Sequence, residues 1–237
     1  MSCPADRIRN RELLAKVTDA ATASSLIQDG MSVGMSGFTS VGYPKAVPRA
    51  LADRVRGTGE KLKIFLITGA SVGDQIDGVL SRQGLIGRRT PYQTNNDLRA
   101  RINGGDCEFF DVHLGEIDMQ VRRGFLGPLD VAVVEAAGIM ANGAIIPTTS
   151  VGNSPSLLHA ARKVIIEVNT SVPEDIFGFH DIFMPGDPPA RQVIPLTRAD
   201  QQIGSPYMMV DPEKVRAIVM CSEADSPRPL AAQDDSS

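Results

Sequence analysis

The sequence has 237 residues, of which 42% are hydrophobic and 22% charged, and this composition is typical of a globular domain rather than a disordered chain. Its 24 basic and 28 acidic residues leave a formal net charge of −4, which argues against a nucleic-acid surface because phosphate binding draws on concentrated lysine and arginine. No apolar run approaches the ~20 residues needed to cross a bilayer, so neither a membrane nor a nucleic-acid partner is expected.

The cysteines and histidines show no metal-ligand spacing. Cys3, Cys107 and Cys221 are far apart and contain no C-x-x-C pair, and the histidines lack the H-x-x-x-H pattern. We therefore predict no metal site and a reducing, cytoplasmic location. The charged N-terminal stretch MSCPADRIRNRELL also lacks the apolar core of a signal peptide.

The first third of the chain alternates helical and strand-like stretches. Asp19 predicts a helix cap before ATASSLIQ (21–28), and MSVGMS (31–36) predicts a short strand that enters a glycine-rich turn. Apolar residues spaced four apart then predict a helix, and a continuous apolar run predicts a strand buried on both faces. These features are the turn GFTSVGYP (37–44), the stripe Val47, Leu51 and Val55, and the run KIFLITG (63–69).

The later chain repeats this alternation. Strand-length apolar runs occur at LDVAVVEAA (129–137), KVIIEV (163–168) and VRAIVM (215–220), and ANGAIIP (141–147) predicts a turn into a short strand. Buried strands separated by helices predict an α/β fold with an open, mostly parallel sheet and flanking helices. Prolines over 170–190 predict an irregular excursion. We expect one domain over 1–220 and a flexible polar tail over 221–237.

One serine follows a predicted strand in the pattern of a nucleophile. FLITGASVG (65–73) places Ser71 on a glycine turn with G-x-S-x-G spacing. A hydrolase triad also requires an acid and a histidine; His159 lies in a helix-like stretch, whereas His180 lies beside Asp181 in the proline-rich excursion. A serine hydrolase and a capping serine are both open interpretations at this point.

The turn GFTSVGYP is the second candidate. Gly37 and Gly42 permit positive φ and close approach of the backbone, so the turn can direct N–H groups at an anionic oxygen. It matches neither a phosphate loop nor a dinucleotide fingerprint, and a purely structural turn is an equal alternative. Ligands of open α/β sheets bind beyond the carboxyl ends of strands, so a site is expected between this turn and residues 69–73.

A longer pattern contains both turns. Asp29-Gly30, VGMSGF and Gly42-x-Pro44 resemble the N-terminal signature of class I coenzyme A-transferases, with Ser36-Gly37-Phe38 where the signature has Gly-Gly-Phe. The stretches LITGAS, RINGGD, VVEA, PTTSVGNS, KVIIEVN and RADQQIG extend this resemblance to the acetyl-CoA hydrolase/transferase family, which includes succinyl-CoA:acetate and propionyl-CoA:succinate CoA-transferases. The sequence is identified as similar to the N-terminal domain of that family over about residues 7–220.

The resemblance implies a CoA-transferase-type domain that acts on acyl-CoA and small carboxylates, with coenzyme A as a substrate and no further cofactor. Ser71 then becomes a hydrogen-bond donor toward the oxyanion rather than the nucleophile. The positions that the resemblance assigns to substrate binding are Ser36, Gly37, Phe38, Thr39, Gly42, Gly69, Ala70 and, in a displaced position, Arg228.

The resemblance also implies a partner. The nucleophile of the family is a glutamate on a second domain, for which this sequence has no counterpart. We therefore expect a chain that is inactive alone, that pairs with a C-terminal half and that forms homo-oligomers. An acyl-CoA thioester hydrolase, a lone serine hydrolase based on Ser71 and a truncated, non-enzymatic remnant are the alternatives.

Overall fold

A computed structural model describes residues 3–70 and 72–227. Two 3-10 turns, Glu174–Ile176 and Pro212–Lys214, accompany the regular elements. In chain order these elements are α1 (Pro4–Arg7), α2 (Arg11–Leu14), β1 (Val17–Thr18), α3 (Ala20–Ser24), β2 (Ser32–Met35), α4 (Ala46–Thr58), β3 (Ile64–Ile67), α5 (Asp77–Arg82), β4 (Ile86–Thr90), α6 (Asn96–Asn103), β5 (Glu108–Phe109), α7 (Leu114–Arg122), β6 (Val131–Ala136), β7 (Gly138–Ile139), β8 (Ile145–Ile146), α8 (Ser154–Ala160), β9 (Lys163–Asn169) and β10 (Val215–Cys221).

Eight strands form one sheet in the order β1-β10-β9-β6-β2-β3-β4-β5. All seven pairings within it are parallel, while β7 and β8 form a separate antiparallel pair. Helices cover the sheet because parallel strands need crossover connections. The predicted α/β fold with an open, mostly parallel sheet is confirmed.

The strand order reverses beside β2. From β2 the chain moves outward through β3, β4 and β5, and β6 then returns to the opposite side of β2 and continues to β9 and β10. The carboxyl ends of β2 and β6 therefore flank a topological switch point, which is where open α/β sheets place their ligand crevice.

The sheet separates two apolar layers. Val131 and Val133 of β6 contact the layer formed with α3 to α6, whereas Ala132 and Val134 contact the layer formed with α2, α7 and α8. This alternation follows the two-residue period of a strand, and it explains why the buried strands appear in the sequence as continuous apolar runs.

The predicted helix over 21–28 is shorter in the structure, where α3 ends at Ser24. Asp19 caps it as predicted, since its carboxylate accepts from the Thr22 N–H at 2.7 Å. Arg54 donates to the carbonyls of Ser24 and Ile27 at 2.6 and 2.9 Å. The Ser24 carbonyl also accepts from the Ile27 N–H at 3.1 Å. This i→i+3 bond tightens the last turn, and Arg54 binds the carbonyls there, so the helix ends early.

The irregular excursion extends well beyond residue 190. Its base is closed by an antiparallel bridge in which Ile182 and Ser205 exchange N–H···O bonds of 2.8 and 3.0 Å. The Asp181 carboxylate also accepts from the N–H groups of Ile203 and Gly204. We call residues 183–204, which lie between these contacts, the arm.

The predicted domain boundary at residue 220 falls one residue before the end of β10. Residues 222–227 then turn back onto the carboxyl ends of the strands, where Glu223 and Asp225 make hydrogen bonds. The remainder of the predicted tail, 228–237, lies outside the described residues. In the described part of the chain, no helix has the length and apolar character needed to span a membrane.

Candidate active site

A tight, strained turn follows β2 at the switch point. Phe38 and Val41 exchange backbone hydrogen bonds of 3.0 and 3.1 Å across it, and the two residues between them, Thr39 and Ser40, have φ angles of 49° and 70°. Positive φ is unfavourable for a β-branched residue such as threonine. Strain of this kind is concentrated at functional sites, where the surrounding structure holds it in place.

The tip of this turn leaves two donors unused. The Phe38 N–H donates to the Val41 carbonyl, and the Gly42 N–H donates to the Asp225 carboxylate. Among residues 3–70 and 72–227, no hydrogen-bond acceptor is found for the N–H groups of Thr39 and Ser40. These two amides are therefore available to an anionic oxygen, as in other backbone anion sites.

Ser36 lies beneath the turn rather than at its surface. Its fully buried hydroxyl accepts from the Asn153 N–H at 2.7 Å. A Cβ atom placed on Gly69 would lie 3.1 Å from the Ser36 Oγ and 3.3 Å from the Asn153 Nδ2. The loops that follow β2 and β3 therefore meet the loop before α8, and Ser36 holds these loops together.

The other predicted site residues differ in how exposed they are. Gly37 and Gly69 are buried and Ala70 is half-buried, whereas the Phe38 side chain is 56% exposed beside the turn. Ser71 and Arg228 lie outside the described residues, so their assigned roles stay predictions. The Asn153 Nδ2 is buried without an acceptor in the described part of the chain.

A buried ion cluster of Lys45, Glu135 and Asp225 packs against the turn. The Lys45 ammonium lies 2.6 Å from the Glu135 Oε1 and 2.8 Å from the Asp225 Oδ1, and the side chains of Lys45 and Glu135 are both fully buried. Glu135 also accepts from Thr148 at 2.7 Å and from Asn169 at 2.9 Å. The cluster joins the turn to the carboxyl ends of β6 and β9.

Sharing one cation between two carboxylates leaves a negative charge in a buried place. Burial raises the pKa of Glu135 to about 7, against the opposing effect of Lys45 and the hydrogen bonds from Thr148 and Asn169. Burial alone would lower the pKa of Lys45, but Glu135 and Asp225 more than offset this and hold its pKa above the ordinary value. Lys45 is therefore a permanent cation, whereas Glu135 titrates near neutral pH.

A second buried carboxylate caps the helix that follows the turn. Glu167 of β9 accepts from the N–H groups of Lys45, Ala46 and Val47 at distances between 2.6 and 3.0 Å. These are donors at the start of α4 that have no partner within the helix. A carboxylate there also interacts favourably with the positive end of the helix dipole, so Glu167 fixes where the turn ends and α4 begins.

The conceivable serine-hydrolase partners of Ser71 are engaged elsewhere. The His180 Nε2 lies 2.7 Å from the Thr148 carbonyl, and because a carbonyl only accepts, this nitrogen carries the proton. The Asp181 carboxylate binds backbone N–H groups at the base of the arm. Neither contact has the acid–histidine arrangement of a triad.

Sequence reasoning found the turn but missed the cluster. Glu135 and Glu167 occur in the stretches VVEA and KVIIEVN, and the one available signal was that each is a charged residue inside an apolar strand, which requires a buried partner. Within the described residues, the His, Cys, Asp and Glu side chains form no group suited to holding a metal ion.

Comparison with known proteins identifies close relatives. The chain is 42% identical over 224 residues to a succinyl-CoA:acetate CoA-transferase from Clostridium kluyveri, covering 94% of this chain and 42% of that protein. It is 40% identical over 240 residues to an acetyl-CoA hydrolase from Schizosaccharomyces pombe, covering 98% of this chain and 46% of that protein. The chain therefore spans less than half the length of these two relatives.

The fold has counterparts among solved structures. An acyl-CoA transferase from Escherichia coli O157:H7 matches 86% of this chain and 46% of its own chain with a TM-score of 0.61. Its sequence identity of 12% restricts this likeness to the fold.

The family comparison covers nearly the whole chain. The family model described as the acetyl-CoA hydrolase/transferase N-terminal domain matches residues 2–220, and this range includes the strained turn, Lys45, Glu135 and Glu167. The chain belongs to the acetyl-CoA hydrolase/transferase family, and the part of the family that it represents is the N-terminal domain.

Proposed function

We propose that this chain forms the N-terminal half of a CoA-transferase site that moves coenzyme A between an acyl-CoA and a small carboxylate such as acetate or succinate. The observation that carries the proposal is the strained turn at the switch point, whose Thr39 and Ser40 amides are free. Two adjacent free donors beyond the end of a strand suit a carboxylate oxygen or an oxyanion. The names of the relatives supply the substrate class.

The proposed reaction is covalent catalysis by a glutamate of a C-terminal half. The glutamate carboxylate attacks the acyl-CoA carbonyl and expels CoA thiolate, which gives an acyl-glutamyl anhydride. The thiolate attacks the glutamyl carbonyl, forms a glutamyl-CoA thioester and releases the first carboxylic acid as its anion. An incoming carboxylate then reverses both steps. The turn of this half would hold carboxylate oxygens and stabilise the oxyanion at each addition.

Reconstitution tests this assignment. The 237-residue chain alone should transfer no CoA from succinyl-CoA to acetate, and it should gain activity when mixed with the C-terminal half of a family member. Borohydride reduction of the acyl-CoA-treated complex, followed by mass spectrometry, should locate the modification on a glutamate of the added half. Turnover by the chain alone, or modification of Ser71, would overturn the proposal.

Ser71 has its own expected result in that complex. Ser71→Ala should reduce turnover roughly 100- to 1,000-fold, the usual effect of losing one oxyanion donor, while covalent glutamyl-CoA still accumulates. Complete loss of the covalent intermediate would make Ser71 the nucleophile, and full activity would remove it from the site.

Hydrolysis is the second candidate function, because several relatives are named acetyl-CoA hydrolases. Water would then replace the acceptor carboxylate in the second half of the cycle. The ratio of transfer to hydrolysis, measured with acetyl-CoA and a range of succinate concentrations, separates the two activities. A hydrolase would release free CoA at a rate that succinate does not change.

A further inference from the structure

The segment after β10 is bonded directly to the strained turn. The Asp225 Oδ1 accepts from the Gly42 N–H at 3.1 Å and lies 2.8 Å from the Lys45 ammonium. Its Oδ2 accepts from the Thr149 hydroxyl at 2.5 Å. The Asp225 side chain is 9% exposed and the Lys45 side chain is fully buried, so their contact is stronger than a surface ion pair. Thr149, in contrast, is exposed.

These bonds fix the backbone that directly follows the two free amides. Gly42 follows the strained pair Thr39 and Ser40, and its N–H is fixed by Asp225. On the same side, the Ser150 hydroxyl donates to the Val41 carbonyl at 2.9 Å. Because positive φ at a threonine persists only where neighbouring contacts hold it, the bond to Asp225 is part of what keeps the tip in its strained form.

A purely structural role does not explain the arrangement well. Buried ion pairs are weak contributors to net stability, because the loss of hydration offsets most of the attraction. A fully hydrogen-bonded buried network does, however, select one geometry over its alternatives. Here the geometry selected is that of the turn relative to the end of β10.

We propose that Asp225, acting with Lys45, is a positioning residue for the turn that would bind the substrate carboxylate. It holds the Gly37–Tyr43 turn in a fixed position against the segment that leaves β10. This inference rests on the proposed function for its catalytic consequence. Asp225 acts through the backbone of Gly42 and does not itself contact substrate.

Hydrogen exchange in the 237-residue chain tests the structural part without any activity. Asp225→Asn removes the charge that Lys45 and the Gly42 N–H bind, and exchange of the Gly42 amide should accelerate by about tenfold or more. Glu223→Gln is the matched control, because Glu223 lies two residues away and pairs with Arg49 on the surface. Equal exchange in the Asp225→Asn and Glu223→Gln chains would overturn the proposal.

A milder variant covers the case in which Asp225→Asn does not fold. Thr149→Val removes one donor to the Asp225 carboxylate and leaves the ion pair with Lys45 intact. It should accelerate Gly42 exchange in the same direction by a smaller factor. Unchanged exchange in a folded Thr149→Val chain would count against the network as the holder of the turn.

Kinetics of the reconstituted complex test the positioning role. Asp225→Asn should raise the KM for the acceptor carboxylate by about tenfold and change the KM for acyl-CoA far less, whereas Glu223→Gln should change neither. An equal fall in kcat for all substrates with unchanged KM would indicate general damage and overturn the role. If the wild-type complex has no transfer activity, the proposed function fails, and the exchange result alone decides whether Asp225 holds the turn.

Discussion

Lys45 shares its charge between Glu135 and Asp225, and the side chains of Lys45 and Glu135 are fully buried. Removal of a buried cation is more damaging than removal of a surface one, because the remaining carboxylates stay buried without compensation. Loss of Lys45 should therefore disturb the turn, β6 and the segment after β10.

Lys45→Met should lower the free energy of unfolding by about 3–5 kcal/mol, the usual effect of breaking a buried ion pair. Urea denaturation followed by circular dichroism measures the change. Lys61→Met is the control, because Lys61 is exposed and should leave the midpoint nearly unchanged. Equal midpoints for the two variants would contradict the buried cluster.

Stability should also depend on pH through Glu135. Its pKa is raised from 4.5 to about 7 in the folded chain, so its protonated form favours folding. That contribution is complete below about pH 4.5 and is lost as the pH rises through about 7. Relative to Glu135→Gln, which cannot ionise, the wild-type chain should lose roughly 3 kcal/mol of stability across this window.

Denaturation of both chains at several pH values measures this difference. The exposed Glu213→Gln serves as a control for general effects of charge. A constant difference between wild type and Glu135→Gln from acid to neutral pH would show that Glu135 does not titrate there.

The sequence could not predict this cluster. Gly42 and Asp225 are separated by 183 positions and Lys45 and Glu135 by 90, whereas periodicity reports only neighbours within one helix or strand. The segment around Asp225 is polar and contains proline, so the sequence predicts a flexible tail there. Only the parallel pairing of β6, β9 and β10 brings these residues together.

At the scale of elements, the turn after β2 depends on the absence of a side chain at Gly42. This residue has a φ of 65°, and a Cβ there would lie 2.6 Å from the Ser150 amide nitrogen. Gly30 has a similar φ of 75° but nothing within 4 Å of the Cβ position. A side chain at either glycine would strain the backbone, but only a side chain at Gly42 would also collide with neighbouring atoms.

Gly42→Ala should lower the free energy of unfolding by about 1–3 kcal/mol more than Gly30→Ala does. Both variants strain the backbone, but only the Gly42→Ala methyl group also collides with Ser150. In the reconstituted complex, Gly42→Ala should also reduce CoA transfer, whereas Gly30→Ala should retain it. Thermal unfolding and the transfer assay measure the pair. Equal destabilisation would contradict the steric part of this prediction, because it would mean that the loop before α8 moves away from the new methyl group at no cost in stability.

Elements with strong local signals were predictable. The stripe of Val47 and Leu51 located α4, and the continuous apolar run located β3, because burial on one or two faces leaves a periodic record in the sequence. The end of α3 was not predictable, because the arginine that binds its last carbonyl, that of Ser24, comes from α4. The strain at Thr39 was also hidden, since nothing in a threonine signals a positive φ.

At the scale of the whole molecule, many large apolar side chains are exposed on and around the arm. These side chains are Phe177, Phe179, Phe183, Met184, Val193, Ile194, Leu196 and Met209. A concentration of exposed apolar side chains in one part of the sequence favours a protein–protein contact there. The proposed C-terminal half and a second copy of the chain are the two candidates to cover them.

The chain alone should therefore bind a hydrophobic dye and self-associate in sedimentation, and the added C-terminal half should reduce dye binding. Val193→Ser combined with Ile194→Ser should reduce dye fluorescence without shifting the unfolding midpoint, because these side chains are 89% and 58% exposed. A monomer that binds no dye would contradict an interface at the arm.

The edges of the sheet limit what such association can become. Each edge strand, β1 and β5, has two residues, and Glu108 at the β5 edge pairs with Arg88 of the adjacent strand. Edges of two residues, one of which also carries a charged pair, offer almost no backbone template for another chain to extend. We therefore expect contacts between copies to use side chains rather than the sheet edges, and we expect the sheet not to seed cross-β fibrils.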